Sequence, residues 1–413
     1  VRIVVKKFGG TSVGSIERIR HVAKLVGEFR SAHPEDGLVV VVSAMAGETN
    51  RLIELAKQCV AKPTGRELDV LLATGEQTSM ALLAMVLQHQ GFDARSLDGR
   101  QAGIATDHTH TQAQIAAIDT KAIQGVLNAG QIAVIAGFQG ADAEGNVTTL
   151  GRGGSDITAV AVAAALGAEA CYIYTDVEGV YSADPRICGS ARLLDRVSHE
   201  EMLEMASLGA KVLHARSVYF AMRYSVPLVV LSTFKPGPGT WIVREEELME
   251  KPVVTGITHR MDEAKITVSR LQGGIATLDK LFALLAAKNV FIDMITQVAS
   301  PEGGVTLSFT TPEELSEQAL ELAREFAKSQ GAEGVHLDRS IAKVSVVGAG
   351  MRYHSGVAAR FFAALAAEEI EVDMISTSEI KISVVIPRKY CEVAVRTLHE
   401  AFIEFQPVVE IER

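Results

Sequence analysis

Hydrophobic positions along this chain follow two rhythms. Continuous branched runs, Ile3-Val4-Val5, residues 38–42, residues 132–136, Cys171-Tyr172-Ile173-Tyr174 and Leu228-Val229-Val230-Leu231, predict strands buried on both faces. Between them lie helical patterns such as residues 15–29. There Ile16, Ile19, Val22, Ala23, Val26 and Phe29 recur at three- and four-residue steps and gather on one face. Strands alternating with helices up to about residue 245 predict a mainly parallel sheet between helical layers.

Lys235-Pro236-Gly237-Pro238-Gly239 breaks regular structure, and the acidic run Glu245-Glu246-Glu247 follows. A domain boundary is expected there, giving a first domain over 1–245. Beyond it the chain repeats itself. Ala264-Lys265-Ile266-Thr267-Val268 returns as Ala342-Lys343-Val344-Ser345-Val346, and Ile292-Asp293-Met294-Ile295 as Val372-Asp373-Met374-Ile375, at offsets of 78 and 80 residues. Each copy reads strand, turn, helix, strand, strand, helix, a small α+β sandwich of the ferredoxin-like kind. The copies are expected over 264–337 and over 253–263 with 338–413. In that division residues 253–258 complete the second sandwich and the first becomes an insertion within it. Such a pair suggests a regulatory or dimerising module.

Composition narrows the function classes. The 413 residues are 48% apolar and 22% charged with 11 prolines, the balance of a folded globular chain. Fifty acidic against 40 basic side chains give a net charge of −10, which opposes a broad grip on nucleic acid or an anionic membrane. The small-apolar stretch 159–166 is shorter than the ~20 residues a membrane span needs and reads as a buried helix. The start turns basic and glycine-rich after a few apolar residues, so it supplies no secretory hydrophobic region. Cys59, Cys171, Cys188 and Cys391 show neither metal-ligand spacing nor disulfide-scaffold density, so free thiols in a reducing compartment, the cytoplasm, are expected.

Two glycine-rich helix starts carry candidate chemistry. The first strand runs into Lys7-Phe8-Gly9-Gly10-Thr11-Ser12 before a helix near Ser15. Glycines let backbone approach an anion, the helix start offers unpaired N–H groups, and Lys7 adds a full charge. The competing reading is an ordinary glycine turn, and the spacing is not that of a Walker loop. The second is Thr149-Leu150-Gly151-Arg152-Gly153-Gly154-Ser155-Asp156. Gly153 and Gly154 would enclose phosphate oxygens, and Arg152 offers a planar fork for a carboxylate. Asp156 is either a helix cap or a group that positions Lys7 or a magnesium ion. Ser43-Ala44-Met45 with Thr49, Gly75-Glu76-Gln77 opening a helix, and Tyr174-Thr175-Asp176 with Tyr181 and Asp184-Pro185-Arg186 are candidate cleft walls, since ligands bind at strand ends in open α/β sheets. Val344-Ser345-Val346-Val347-Gly348-Ala349-Gly350 starts like a dinucleotide fingerprint, but Tyr353 stands where its third glycine belongs. His108, His110 and His214 lack metal-ligand spacing and are read as structural.

Lys7-Phe8-Gly9-Gly10-Thr11-Ser12, Val42-Ser43-Ala44-Met45, Thr74-Gly75-Glu76, Gly151-Arg152-Gly153-Gly154-Ser155-Asp156, Tyr174-Thr175-Asp176 and Met205-Ala206-Ser207-Leu208-Gly209-Ala210-Lys211-Val212-Leu213 together resemble the aspartate kinase family over nearly the whole chain. The paired repeats resemble that family's tandem ACT domains. The resemblance implies an amino-acid-kinase fold followed by two ACT domains. It also implies ATP-dependent phosphorylation of the L-aspartate side-chain carboxylate to 4-phospho-L-aspartate, the entry to lysine, threonine, methionine and diaminopimelate synthesis. A carboxylate is already ionised at neutral pH, so the chemistry needs no general base and rests on positioning and on cations around the transferred phosphoryl group.

Carried over by motif, Lys7 stabilises the transferred group with the amides of Gly9 and Gly10, held by Asp156. Arg152 clamps an aspartate carboxylate, Glu76 serves the substrate ammonium directly or by orienting neighbouring groups, and Ser43, Thr49 and Ser155 line that end of the cleft. Gly153, Gly154, Thr175, Asp176, Tyr181, Arg186 and Lys211 fall on the nucleotide side. The nucleotide is expected as Mg-ATP, with the Mg²⁺ ligands unassigned because phosphate oxygens and water can supply them. The likeness further implies end-product sites on the ACT pair. Ile292, Asp293 and Gln297, then Val357, Ala358 and Glu379, are candidate contacts, with packing and strand-edge bonding the competing reading. Where relatives carry an aspartate-x-proline-glycine turn, this chain has Leu271-Gln272-Gly273-Gly274, so the effector is left as lysine, threonine or both. A homodimer or higher oligomer through the ACT domains is expected, with a shorter ACT-only subunit as a further partner. The rivals are another amino-acid kinase, acting on glutamate or N-acetylglutamate, and a non-catalytic amino-acid sensor.

Overall fold

The computed structural model describes residues 2–248, 252–299 and 303–404, so the end of the expected second sandwich, 405–413, lies outside the described residues. The chain forms two compact units. The first carries β1 (Ile3–Phe8), α1 (Ile16–Ala32), β2 (Gly37–Val42), α2 (Glu48–Cys59), α3 (Arg66–His89), β3 (Ala94–Leu97), β4 (Ile104–Thr106), β5 (Ile115–Ile118), α4 (Lys121–Asn128), β6 (Ile132–Ala136), β7 (Gln139–Ala141), β8 (Val147–Thr149), α5 (Gly154–Leu166), β9 (Ala170–Thr175), β10 (Arg196–Ser198), α6 (His199–Ser207), α7 (Ala215–Arg223), β11 (Leu228–Ser232) and β12 (Thr240–Val243).

Eight of these strands make one sheet in the order β10-β12-β11-β9-β1-β2-β6-β3. Only the β11–β12 pair runs antiparallel. The central strand β1 pairs in parallel with β2 and β9, so Lys7 stands between Val41 and Ile173. Alternation along β1 sends Val4 and Phe8 into a core with Ile19, Val22 and Val26 of α1 and Met80, Leu83 and Leu87 of α3. Lys7 therefore points to the opposite face, toward α5. A smaller sheet, β5-β4-β7-β8, stands beside the eight-stranded one.

Local chemistry sets the helix limits. Ser15 caps α1 by accepting from the Arg18 amide, and the helix runs on past Phe29 to Ala32, just before Pro34. The expected helix start at Gly75 is not found, because Gly75, Glu76 and Gln77 lie mid-way along α3, which begins after Gly65 at φ +77°. Gly75 has another reason to be glycine. A Cβ there would come within 2.9 Å of the Ala44 methyl, so its absence lets α3 press against the loop after β2. Among the described residues α3 is also the one helix long and apolar enough to cross a membrane, and half of its apolar window is buried inside the fold.

The second unit carries β13 (Gly256–Arg260), β14 (Glu263–Leu271), α8 (Gly274–Ala287), β15 (Ile295–Ala299), β16 (Val305–Pro312), α9 (Ser316–Ser329), β17 (Gly334–Asp338), β18 (Ile341–Val347), α10 (Val357–Ala367), β19 (Met374–Thr377), β20 (Lys381–Pro387) and α11 (Cys391–His399). It holds two four-stranded sheets, β15-β16-β14-β17 and β13-β18-β20-β19. Strand β13 precedes the first sandwich in the chain but pairs with β18 of the second.

The single boundary expected near residue 245 needs correction, because Ser182–Ala191 and Leu208–Ala210 also cluster with this unit. Ala183 and Cys188 bury themselves among Val344, Val346, Leu398 and Phe402. Gly209, at φ +117°, brings its backbone against the His259 carbonyl where a Cβ would lie 2.1 Å away. Gly348 and Gly350 serve close approach too, to the backbone of residues 252–255, which accounts for the fingerprint-like glycines.

The repeated Lys and Asp positions exchange partners. Lys343 of the second copy binds Asp293 of the first, and Lys265 of the first binds Asp373 of the second. This reciprocity is the contact pattern of a two-fold relation within one chain. The two pairs are unequal in burial. Lys343 also holds Glu263 at 2.9 Å, both 1% exposed, with Arg260 3.2 Å from the same carboxylate. Lys343→Met should therefore lower stability in urea titration by about 3 kcal/mol or more, leaving a buried carboxylate short of a partner. Lys265→Met should cost about 1 kcal/mol or less, since Asp373 is 43% exposed. Equal losses would contradict this assignment.

Candidate functional site

The site is built where β1, β2, β6 and β9 end and the helices begin. Gly9 donates its amide to the Tyr174 carbonyl at 3.1 Å, while Ser12 and Val13 return amides to the Gly9 carbonyl. The glycine turn is thereby fixed to β9. Gly10 accepts from the Ala46 amide at 3.1 Å, and a Cβ on Gly10 would stand 3.0 Å from the Ala44 carbonyl. The glycine turn and the loop after β2 are thus one tight backbone assembly. Ser12 Oγ lies 2.6 Å from Thr233 Oγ1, tying the same turn to the end of β11.

Lys7 Nζ lies 2.5 Å from Asp156 Oδ1, at the start of α5. Lys7 is 7% exposed. The ammonium and the carboxylate are thus in direct contact in a site closed to solvent on most sides. Gly153, at φ +70°, precedes α5 where a Cβ would meet the His214 ring at 2.5 Å. His214 in turn caps α7 by accepting from the Arg216 amide, and burial pulls its pKa down. Gly154 is packed on Phe138, and Ser155 on Gly137 at the end of β6. Arg152 is exposed at the rim, and among the described residues no hydrogen bond or ion pair holds its guanidinium.

Glu76 reaches the same loop from α3. Its Oε1 accepts from the Ala44 amide at 3.0 Å, while Oε2 is buried with no hydrogen-bond partner among the described residues. Burial pushes its pKa up to about 7. Ser43 is half-buried next to it, its carbonyl receiving Ser79 Oγ from α3. Thr49 is half-buried in the first turn of α2.

On the β9 side Thr175 Oγ1 donates to Asp176, and the Thr175 carbonyl accepts from the Thr233 amide. Tyr181 donates its hydroxyl to Glu178, which also binds Lys235 at 2.6 Å. Arg186 grips Asp184 through two parallel bonds and belongs to the stretch that clusters with the second unit. Lys211 is exposed in the turn after α6.

Sequence reasoning missed Asp69. Fully buried in α3, it accepts from His110 Nδ1 at 2.7 Å, from Thr149 Oγ1 at 2.6 Å and from the amide of Thr111, whose φ is +68°. It fastens residues 110–111 and the strand leading to Gly151. A signal was available, because Asp69 and Glu76 are seven residues apart, two helical turns, and share one face of α3.

The candidate effector residues all lie in the second unit. Ile292 packs on the first sandwich core, and Gln297 is exposed on edge strand β15. Asp293 is bound by Lys343. Val357 is buried at the start of α10, Ala358 is exposed, and Glu379 pairs with Arg352 at 3.2 Å.

Residues 2–232 match the amino acid kinase family, and residues 344–402 match an ACT domain. An aspartate kinase from Stutzerimonas stutzeri is 53% identical over 97% of both chains, and an aspartokinase from Geobacillus stearothermophilus is 48% identical over 97% of both. Among solved structures, Escherichia coli aspartokinase III in complex with aspartate and ADP superposes with a TM-score of 0.80. It is 27% identical and covers 97% of this chain and 99% of its own. With these relatives matching over 97% of the chain, and with a lysine and an aspartate brought together between two glycine-rich helix starts, the chain belongs to the aspartate kinase family.

Proposed function

We propose that this chain transfers the γ-phosphoryl group of MgATP to the side-chain carboxylate of L-aspartate, with Lys7 as the charge on which transfer depends. The observation that carries the reading is the Lys7–Asp156 contact beside Gly9 and Gly10. An aspartate oxygen forms the new bond to phosphorus as the bond to the β-phosphate oxygen breaks, and ADP leaves with the displaced charge. Both reactants are anions. The barrier is therefore lowered by a cation fixed in place before they arrive, and Asp156 fixes Lys7. Gly9, Gly10, Gly153 and Gly154 let backbone close on phosphate oxygens. The magnesium enters with the nucleotide. Asp156 already faces Lys7, so phosphate oxygens and water are the readier ligands.

For the acceptor, the exposed Arg152 would close on a substrate carboxylate, and buried Glu76 would meet the ammonium beside Ser43, Thr49 and Ser155. Thr175, Asp176, Tyr181, Arg186 and Lys211 are assigned to the nucleotide. The same fold could phosphorylate glutamate or N-acetylglutamate, so a coupled ADP-release assay with the three acceptors decides the substrate. Aspartate alone should turn over, and turnover with none would leave an amino-acid sensor.

The ACT unit is read as the receiver of lysine, threonine or both at Ile292, Asp293, Gln297, Val357, Ala358 and Glu379. An effector ammonium must compete there with Lys343 for Asp293, while Glu379 is already paired with Arg352. Exposed Ile295 and Val298 on β15 and Ile375 on β19 are read as the edges where a second copy, or a shorter ACT-only chain, adds. We assign the enzyme to the cytoplasm. Thermal-shift titration should show a higher melting temperature with lysine, threonine or their combination, and no shift with any would remove the effector assignment.

Lys7→Ala should lower kcat at least about 10²-fold with the circular dichroism unchanged. Near-normal turnover would remove Lys7 from the mechanism. Arg152→Ala should act mainly on the KM for aspartate, and an unchanged KM would refute the clamp.

Glu76 gives a pH signature. Only its ionised form attracts an ammonium, so with a pKa near 7 the KM for aspartate should rise roughly fivefold from pH 7 to pH 6. Its effect on stability has the opposite sense. A carboxyl raised in the fold binds more protons folded than unfolded, so stability falls as pH rises from the ordinary carboxylate value through about 7. Glu76→Gln should thus raise the melting temperature at pH 8 while raising KM and flattening its pH dependence. A variant that melts lower at pH 8 with a normal KM would overturn the assignment.

A further inference from the structure

A cluster outside the phosphate-transfer site joins Ser182–Ala191 to the end of α11. Cys188 Sγ, His399 Nδ1 and a Glu404 carboxylate oxygen lie within 4.8 Å of one another. One small group touches all three. Ser190 Oγ is 3.3 Å from Cys188 Sγ and 3.4 Å from His399 Nδ1, and it donates to Glu404. The three donors therefore converge on a single point.

The chain is shaped to present them. Cys188 is turned inward by a tight bend in which the Ile187 and Cys188 amides both bond the Asp184 carbonyl. His399 closes α11, and Glu404 follows five residues later across a π-turn, Glu400–Glu404, which stacks the two on one face. Such turns recur at functional positions. His399 is fully buried, and its Nε2 lies 2.9 Å from Ser182 Oγ. Without metal, Nδ1 faces the Ser190 oxygen and, at 3.3 Å, the Glu404 carboxylate, so it carries the ring proton. On binding, that proton moves to Nε2, which donates it to the Ser182 hydroxyl, and the Nδ1 lone pair meets the ion, the orientation that outer-shell partners impose on metal-binding histidines.

We propose that Cys188, His399 and Glu404 bind a divalent cation of the Zn²⁺ class. A thiolate, an imidazole and a carboxylate form a three-ligand set that leaves one position for water, and tetrahedral Zn²⁺ accepts it. Mg²⁺, an all-oxygen cation, does not fit a thiolate and an imidazole. Binding draws the donors inward by roughly 1 Å from their present separations and turns the Ser190 hydroxyl aside. The Cys188 thiol loses its proton to solvent as the metal–sulfur bond forms. The bound ion cross-links the stretch carrying Arg186 to the last helix of the second ACT sandwich. It is distinct from the magnesium of the nucleotide and independent of the acceptor's identity.

The test is a Co²⁺ titration of the full chain carrying Cys59→Ser, which removes the one exposed thiol. A thiolate-to-cobalt absorption band should saturate at a stoichiometric, micromolar addition and be displaced by Zn²⁺ but not by excess Mg²⁺. Adding Cys188→Ser should abolish the band. Ser182→Ala should weaken binding at least about tenfold, whereas Ser190→Ala should keep it. Because Cys188 is buried, Glu404→Gln at the exposed end provides a second variant, expected to bind more weakly while melting normally in the absence of metal. A missing band, a band surviving Cys188→Ser, binding only at millimolar cobalt, or binding lost with Ser190→Ala would each overturn the site and leave a plain hydrogen-bond network.

Discussion

The first unit sets an ammonium group against a carboxylate at the end of its central strand. Lys7 is nearly buried between Val41 and Ile173, where an unpaired charge would be costly, and Asp156 at the first turn of α5 offsets that cost. The neighbouring lysine shows what the alternative looks like. Lys6 points to the other face, 3.8 Å from the Phe29 ring centroid with Tyr172 and Tyr174 nearby, and burial draws it down to about 8. Two consecutive lysines thus meet different neighbours, one a carboxylate and the other aromatic rings, because strand side chains alternate.

Helix α3 places two carboxylates that the fold treats differently. Asp69 is buried but answered by a histidine, a threonine hydroxyl and a backbone amide, so it anchors structure. Glu76, two turns on, has one oxygen left without a partner and a raised pKa. A buried acceptor left open is expensive, and such expense persists where a ligand completes it. The same helix therefore supplies a rigid post and an unpaired carboxylate oxygen beside the loop after β2, and Gly75 lets it come close enough to do so.

Much of this was legible in sequence. Continuous apolar runs located the central strands, and glycines beside single charges marked the starts of α1 and α5. The 78- and 80-residue offsets revealed the duplicated sandwich. What escaped reading depended on contacts between distant segments. Gly75 looked like a helix start because glycine punctuates both termini and close packings, and only the Ala44 methyl distinguishes them. Ser182–Ala191 read as part of the first domain because it lies between that domain's strands, yet Ala183 and Cys188 are apolar enough to be drawn into another core. The exchange of Lys265 and Lys343 between Asp373 and Asp293 was hidden for the same reason, since a repeat shows equivalent positions but not which copy each one touches.

In the proposed mechanism Lys7 and Asp156 act as one unit. A double-mutant cycle on the rate of a single phosphoryl transfer, using Lys7→Met, Asp156→Asn and the pair together, reads that directly. If Asp156 works by holding Lys7, the double variant should be no slower than Lys7→Met alone. Losses that simply multiply would show two independent contributions and contradict the central claim.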